Sequence, residues 1–285
     1  MTKSEKIKFL IDILLNEMPE VKSQAEKVPE DLQSQRQLLR ALMNIRPPMP
    51  LKSSFLKIQD ELLQNEVSGK GIVTLDEIEN QLIITNYELR IKLWQGDITR
   101  LKVDAIVNAA NSALLGCFVP LHNCIDNAIH SAAGLQLRDS CAKIMETQGH
   151  KEKTGQAKIT PAFNLPSQYV IHTVGPIIPA NREPNLEEEN LLASCYKSCL
   201  ELAVENNIKS IAFCCISTGE FHFPNRRAAE IAIKTVLDFT KENNCDIIVI
   251  FNTFKEVDTN IYKELIGNSE CVINFCYNSE LRITH

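Results

Sequence analysis

Val103-Asp104-Ala105-Ile106-Val107-Asn108-Ala109-Ala110-Asn111-Ser112 carries the reading of the fold. Its first half is an apolar, β-branched run that reads as a strand, Val103–Val107; its second half is a polar junction of two amides around two alanines. The same grammar repeats outward. Ile91–Trp94, Ala157–Thr160 and Tyr169–Val174 read as strands, and Ile211–Ile216 and Ile247–Phe251 are nearly pure apolar runs, as strands buried on both faces are. Between them Asp126–Glu146, Glu187–Asn206, Asn225–Asn243 and Asp258–Ile266 carry helical periodicity. This alternation predicts an α/β sandwich around a largely parallel sheet. Ligands of such sheets bind beyond the carboxyl ends of the strands, so the strand-to-helix junctions are where function is expected.

The first 75 residues have a different texture. Leu10, Ile11, Leu14, Leu15 and Met18 recur at helical spacing, as do Leu38, Leu39, Leu42 and Met43 before Pro47-Pro48 stops that helix. Phe55, Ile58 and Leu62 continue a third helix, with Ser53 or Ser54 as its cap. Residues 1–75 are therefore read as a helical N-terminal extension that packs without chemistry of its own, and 76–285 as the α/β domain.

The chain has 285 residues, 44% hydrophobic and 23% charged, which excludes a disordered or coiled-coil chain. Its 30 basic and 36 acidic residues give a net charge of −6, which argues against a nucleic-acid binder. Asp12 and Glu17 interrupt the apolar run near the start, as in an amphipathic helix rather than a secretory signal, and no apolar stretch of about 18 residues predicts a membrane span. A cytoplasmic location and reduced thiols are expected. The ten cysteines, all at or after Cys117, are then core fillers, metal ligands or reactive groups. Cys195, Cys199, Cys214 and Cys215 fall at apolar positions and read as fillers.

Four junctions are candidates. Gln95-Gly96-Asp97-Ile98-Thr99 offers a carboxylate that caps a turn or accepts from an exocyclic amine. Asn108 and Asn111 offer amides that both donate and accept. Gly116-Cys117-Phe118-Val119-Pro120-Leu121-His122-Asn123-Cys124-Ile125-Asp126 places two thiols and an imidazole within eight residues, donors that suit Zn²⁺. Three protein ligands with one open position is the pattern of a catalytic zinc site. A distant fourth ligand such as Cys141 would make it structural, and the same spacing fits two small buried cysteines and a surface histidine. Asp126 reads either as the N-cap of the next helix or as a carboxylate that orients or deprotonates water. Ser217-Thr218-Gly219-Glu220-Phe221-His222-Phe223-Pro224 presents backbone amides to an anion but lacks the Gly-Lys-Ser/Thr ending of a P-loop.

Taken in order, Gly96-Asp97-Ile98-Thr99, Val103–Asn111, Ala128-Ile129-His130-Ser131-Ala132-Ala133-Gly134 and Ile216–Pro224 resemble the macrodomain, an ADP-ribose-binding module, over roughly residues 80–266. Hydrolase-type members carry a Gly-rich run where this chain has the Cys117–Cys124 segment. That departure resembles the zinc-dependent macrodomain subclass of microbial operons that also encode a sirtuin-type ADP-ribosyltransferase, whose members have a helical N-terminal extension too. The resemblance implies a three-layer α/β/α macrodomain with a mixed, largely parallel sheet. It implies one Zn²⁺ per chain on Cys117, His122 and Cys124, and catalysis by Asp126 with Asn111. Asp97 and Ile98 would take the adenine, Asn111 the distal ribose with Asn108 in support, and Ser217, Thr218, Gly219, Glu220 and Phe221 the diphosphate, with Phe254 near adenine. The implied activity is zinc-dependent removal of mono-ADP-ribose from protein side chains, with a lipoyl-carrier protein as candidate partner. A non-catalytic ADP-ribose reader and an O-acyl-ADP-ribose deacylase are the competing readings. The missing Gly-rich run leaves one flank of the diphosphate without its usual amides.

Overall fold

The computed structural model describes residues 1–84, 89–179 and 182–267. Helices α1 (Lys3–Glu17), α2 (Lys22–Ala25), α3 (Leu32–Ile45) and α4 (Ser53–Lys70) come first, then the short strand β1 (Val73–Thr74). Strands β2 (Asn80–Ile84), β3 (Leu89–Gln95), β4 (Leu101–Lys102) and β5 (Ala105–Ala109) lead into α5 (Ile125–Ala133) and α6 (Leu135–Gln148). Then follow β6 (Ala157–Pro161), β7 (Tyr169–Thr173), α7 (Leu186–Glu205), β8 (Ser210–Phe213), α8 (Asn225–Asn243) and β9 (Ile248–Thr253).

Among the described residues the main sheet has seven strands in the order β2-β3-β9-β8-β5-β7-β6, with β1 and β4 paired apart from it. The five central strands run parallel, and the edge strands β2 and β6 are antiparallel to their neighbours. The sheet is mixed and mostly parallel, as expected. The apolar runs sit at its centre: β5 and β8 are buried along their length except at Ala109. The strand expected over Ile211–Ile216 ends at Phe213, because the backbone there turns into the 217–223 loop. Strand β2 has no counterpart among the expected strands.

Two local expectations are corrected. The single helix expected over Asp126–Glu146 is two, because Gly134 at φ +94° ends α5 and redirects the chain. A Cβ there would lie 2.6 Å from Gln59 Nε2, so the close approach also needs glycine. The third helix begins at Ser53, but Lys52 holds the cap position and no side chain caps it.

Helices α1, α3 and α4 bury Leu10, Leu14, Leu39, Leu42, Phe55 and Leu62 in an apolar cluster of their own, which takes in Leu135 of α6. Around it the contacts to α5 and α6 include polar ones. Asn44 Nδ2 donates to Ser131 Oγ at 3.0 Å, Arg138 Nη1 donates to Met43 O at 2.9 Å, and Leu135 N donates to Gln59 Oε1 at 3.0 Å. This binds the extension to the helix whose N-terminus carries Asp126.

Candidate functional site

One cleft of about 580 Å³ opens at the carboxyl ends of the parallel strands. Asp97, Ile98, Cys124, Ser217, Thr218, Gly219, Glu220, Phe221 and Phe254 all line it, so residues far apart in sequence meet there. Asn111, Asp126, Cys117 and His122 lie off that lining, tied to it through the loop between β5 and α5.

Asp97 both caps and stays available. Its Oδ1 accepts from Thr99 N at 3.1 Å and Thr99 Oγ1 at 2.6 Å, closing the turn over Ile98–Arg100. Its Oδ2 stands 3.7 Å from Lys70 Nζ, at the end of α4. On the opposite wall, Phe223 N bonds Ser217 O at 3.0 Å and His222 N bonds Gly219 O at 3.1 Å. The amides of Gly219, Glu220 and Phe221 have no acceptor among the described residues. Ser217 and His222 hold φ values of +65° and +57°, an uncommon conformation for side-chain-bearing residues that is found at ligand clamps. Gly175 makes the fold of this loop possible, since a Cβ there would fall 2.0 Å from Ser217 Oγ.

Asp126 does not cap its helix: Cys124 does, its sulfur accepting from Asn127 N at 3.4 Å. The carboxylate is instead held from both sides. Oδ1 accepts from Asn108 Nδ2 at 2.8 Å and Oδ2 from Asn111 Nδ2 at 3.3 Å, with His130 Nε2 3.5 Å from Oδ1. The residue is 5% exposed, and burial raises its pKa to about 6 against the pull of Asn108, Arg138 and Asn111. Asn108 is fully buried and also meets His172 Nδ1 at 3.2 Å, so its place is beneath the cleft rather than on its surface. Asn111 further donates to Gly116 O at 3.1 Å and accepts from Ala113 N at 2.9 Å, which fixes the loop that leads to Cys117. Gly116 has φ +79°, and a Cβ on it would strike the His130 ring at 2.8 Å.

Cys117, His122 and Cys124 bring one ligand atom each within 4.8 Å of one another. Cys117 Sγ stands 3.6 Å from His122 Nδ1. That is about the edge of a tetrahedron built from ~2.3 Å metal–sulfur and ~2.0 Å metal–nitrogen bonds. Glu220 Oε1 lies 3.7 Å from the other ring nitrogen, Nε2, where a carboxylate orients a ligating imidazole. Burial pushes the Cys124 thiol up to about 12, so a thiolate there requires a neighbouring cation. The donor set fits Zn²⁺. Cys141 is not a fourth member: it faces His172 Nε2 at 3.6 Å in a separate buried group with His130. In that group Thr160 Oγ1 already engages His172 Nε2 at 3.0 Å and burial raises the Cys141 thiol to about 12, as in packed core.

The extension supplies residues that sequence reasoning missed. Arg40 of α3 lines the cleft, its Nη2 donating to Asn127 Oδ1 at 2.8 Å and His122 O at 3.2 Å. It is part-buried on α3, 82 residues before the nearest hydrogen-bond partner of its side chain, and no local pattern singles it out.

Known proteins resemble this chain. The Macro domain family matches residues 107–232. A protein-ADP-ribose hydrolase of Treponema medium is 51% identical over 267 residues, covering 94% of this chain and all of that one. The chain belongs to the macrodomain family. A second protein-ADP-ribose hydrolase, from Staphylococcus aureus, is 44% identical over 262 residues, 90% of this chain and 95% of that one. Among solved structures, the Trypanosoma brucei macrodomain in complex with ADP-ribose aligns with a TM-score of 0.60 at 29% identity, covering 79% of this chain and 94% of that one. Among the described residues, no helix of this macrodomain is long and apolar enough to cross a membrane.

Proposed function

We propose that this macrodomain is a cytoplasmic, zinc-dependent protein-ADP-ribose hydrolase. It removes mono-ADP-ribose from a modified protein side chain and releases ADP-ribose. The observation that carries the reading is Asp126, a buried carboxylate clamped by Asn108 and Asn111 and two residues beyond Cys124, the member of a three-donor set that lines the cleft. A reader needs the cleft alone. The relatives in Treponema medium and Staphylococcus aureus bear the hydrolase name and match along nearly their whole length.

In this reading Asp97 and Ile98 take the adenine end and Phe254 packs beside it. The free amides of the Gly219–Phe221 turn, with Ser217 and Thr218, wrap the diphosphate. That places the distal ribose toward Asn111 and Asp126. Asp126 orients a water toward the anomeric carbon and accepts its proton as the bond to the acceptor breaks. Asn108 and Asn111 keep both carboxylate oxygens in place, and Asn111 also sets the position of Gly116 and the loop beyond it. Cys117, His122 and Cys124 would hold one Zn²⁺, which when bound supplies Lewis acidity and lowers the pKa of coordinated water. A lipoyl-carrier protein modified by a sirtuin-type ADP-ribosyltransferase is the proposed class of substrate.

The test offers the purified protein a mono-ADP-ribosylated protein and O-acyl-ADP-ribose side by side. Free ADP-ribose released faster from the protein supports the reading. Faster turnover of the O-acyl ester makes it a deacylase, and tight ADP-ribose binding without release from either makes it a reader.

A further inference from the structure

The segment that replaces the Gly-rich run forms one flank of the cleft through Asn123, Cys124 and Ile125, and Arg40 is among the residues that line the same cleft. We infer that Arg40, delivered by the N-terminal extension, holds the diphosphate on that flank; the inference rests on the ADP-ribose reading of the cleft.

Three observations point there. First, the charge of the cleft needs a cation. Its charged lining residues are Asp97, Glu220 and Asp258 against Arg40 and Lys255, and a diphosphate adds further negative charge. Lys255 is exposed at the rim, whereas Arg40 is half-buried in the wall formed by Asn123, Cys124, Ile125 and Ala128. Second, the guanidinium is only half engaged. Nη2 is spent on Asn127 Oδ1 and His122 O, which pins the plane against the start of α5. Nη1 has no partner among the described residues, and Nε is shielded from solvent with none. A desolvated donor without an acceptor is costly, and a phosphate oxygen is the acceptor a guanidinium fork matches best. Third, α5 presents its N-terminus at the same wall, so an anion there meets a helix dipole as well as Arg40.

The extension therefore completes the binding site, and α3 is part of the ligand machinery rather than a packing appendage. Asn127 becomes a positioning residue, since its side-chain oxygen holds Arg40 while its Nδ2 donates to Val119 O at 3.0 Å.

The test compares wild type with Arg40→Ala and Arg40→Lys in the full chain, titrating ADP-ribose, ADP and adenosine by calorimetry, with unliganded melting curves alongside. Arg40→Ala is expected to weaken ADP-ribose and ADP by ~10–100-fold, the loss of a charge-assisted pair, and adenosine by less than ~2-fold. Its dependence of binding on salt becomes shallower. Arg40→Lys keeps the charge without the fork and falls between. If Arg40→Ala does not fold, Arg40→Lys carries the comparison, with a several-fold loss for ADP and none for adenosine. ADP affinity unchanged in the variants overturns the inference. So does an equal loss for adenosine, which would place the guanidinium against the base. Wild type that fails to bind ADP-ribose at all removes the reading of the cleft itself, and Arg40's role with it.

Discussion

Replacing Asp126 by Asn isolates chemistry from packing. The volume is the same, but an amide has one accepting end and one donating end. Asn108 Nδ2 donates to one carboxylate oxygen at 2.8 Å and Asn111 Nδ2 to the other at 3.3 Å. Whichever way the new amide is turned, one of these contacts becomes donor against donor. Losing a buried, charge-assisted hydrogen bond costs about 1.5–3 kcal/mol. Removing a charge that sits 5% exposed relieves desolvation and offsets much of that loss. The net change in folding stability is therefore expected below about 2 kcal/mol, and the cleft, which Asp126 does not line, keeps its affinity for ADP-ribose. The rate is another matter. Without a proton acceptor at this position, ADP-ribose release falls by ~10²–10⁴, or about 2.7–5.5 kcal/mol of barrier. Single-turnover release, calorimetry with ADP-ribose and a thermal melt read the three quantities separately. Release within tenfold of wild type, in a folded variant that binds ADP-ribose normally, would refute the assignment of Asp126.

Other consequences follow from neighbouring features. Cys124→Ser and Cys117→Ser should each lower zinc content from about one per chain toward zero by elemental analysis; zinc retained in both would remove these residues from the ligand set. Gly134→Ala forces a Cβ to 2.6 Å from Gln59 Nε2 at φ +94°, so a loss of at least ~1–2 kcal/mol in stability is expected by denaturant titration, and an unchanged midpoint would contradict the strain argument. His172 is buried among Asn108, Thr160, Cys141 and His130, and burial lowers its pKa to about 3. The unfolded chain takes up a proton here below about pH 6.5, and the native chain does not until far lower. Stability is thus at its full value above pH 6.5 and declines by a few kcal/mol as pH falls toward 3. Melts from pH 7 to 4 should show that slope, and His172→Asn should flatten it.

Much of this macrodomain is legible in its sequence, for reasons that can be named. Central strands such as β8 and β9 are buried on both faces, so their apolar runs are unbroken, and the junctions after β3, β5 and β8 keep their functional residues within a few positions of each strand end. Strand β2, an edge strand among the described residues, opens with the polar Asn80-Gln81 and holds an apolar run of only Leu82-Ile83-Ile84, too short to tell a strand from a turn of helix. The break at Gly134 was hidden because apolar periodicity continues across it, and the positive φ and the close approach of Gln59 that require the glycine show only in the fold. From sequence Asp126 fits either a helix cap or a carboxylate beside a ligand site; the cap is Cys124, which leaves the carboxylate to Asn108 and Asn111. Arg40 could not be read at all, since its meaning depends on how α3 docks against α5.

The most direct test of the central claim measures ADP-ribose release from a mono-ADP-ribosylated protein by zinc-loaded, chelator-stripped and zinc-restored enzyme, each confirmed as folded. The account predicts release that vanishes on stripping and returns with zinc. Release unaffected by stripping would contradict a catalytic metal at Cys117, His122 and Cys124 and leave the chemistry to Asp126 alone.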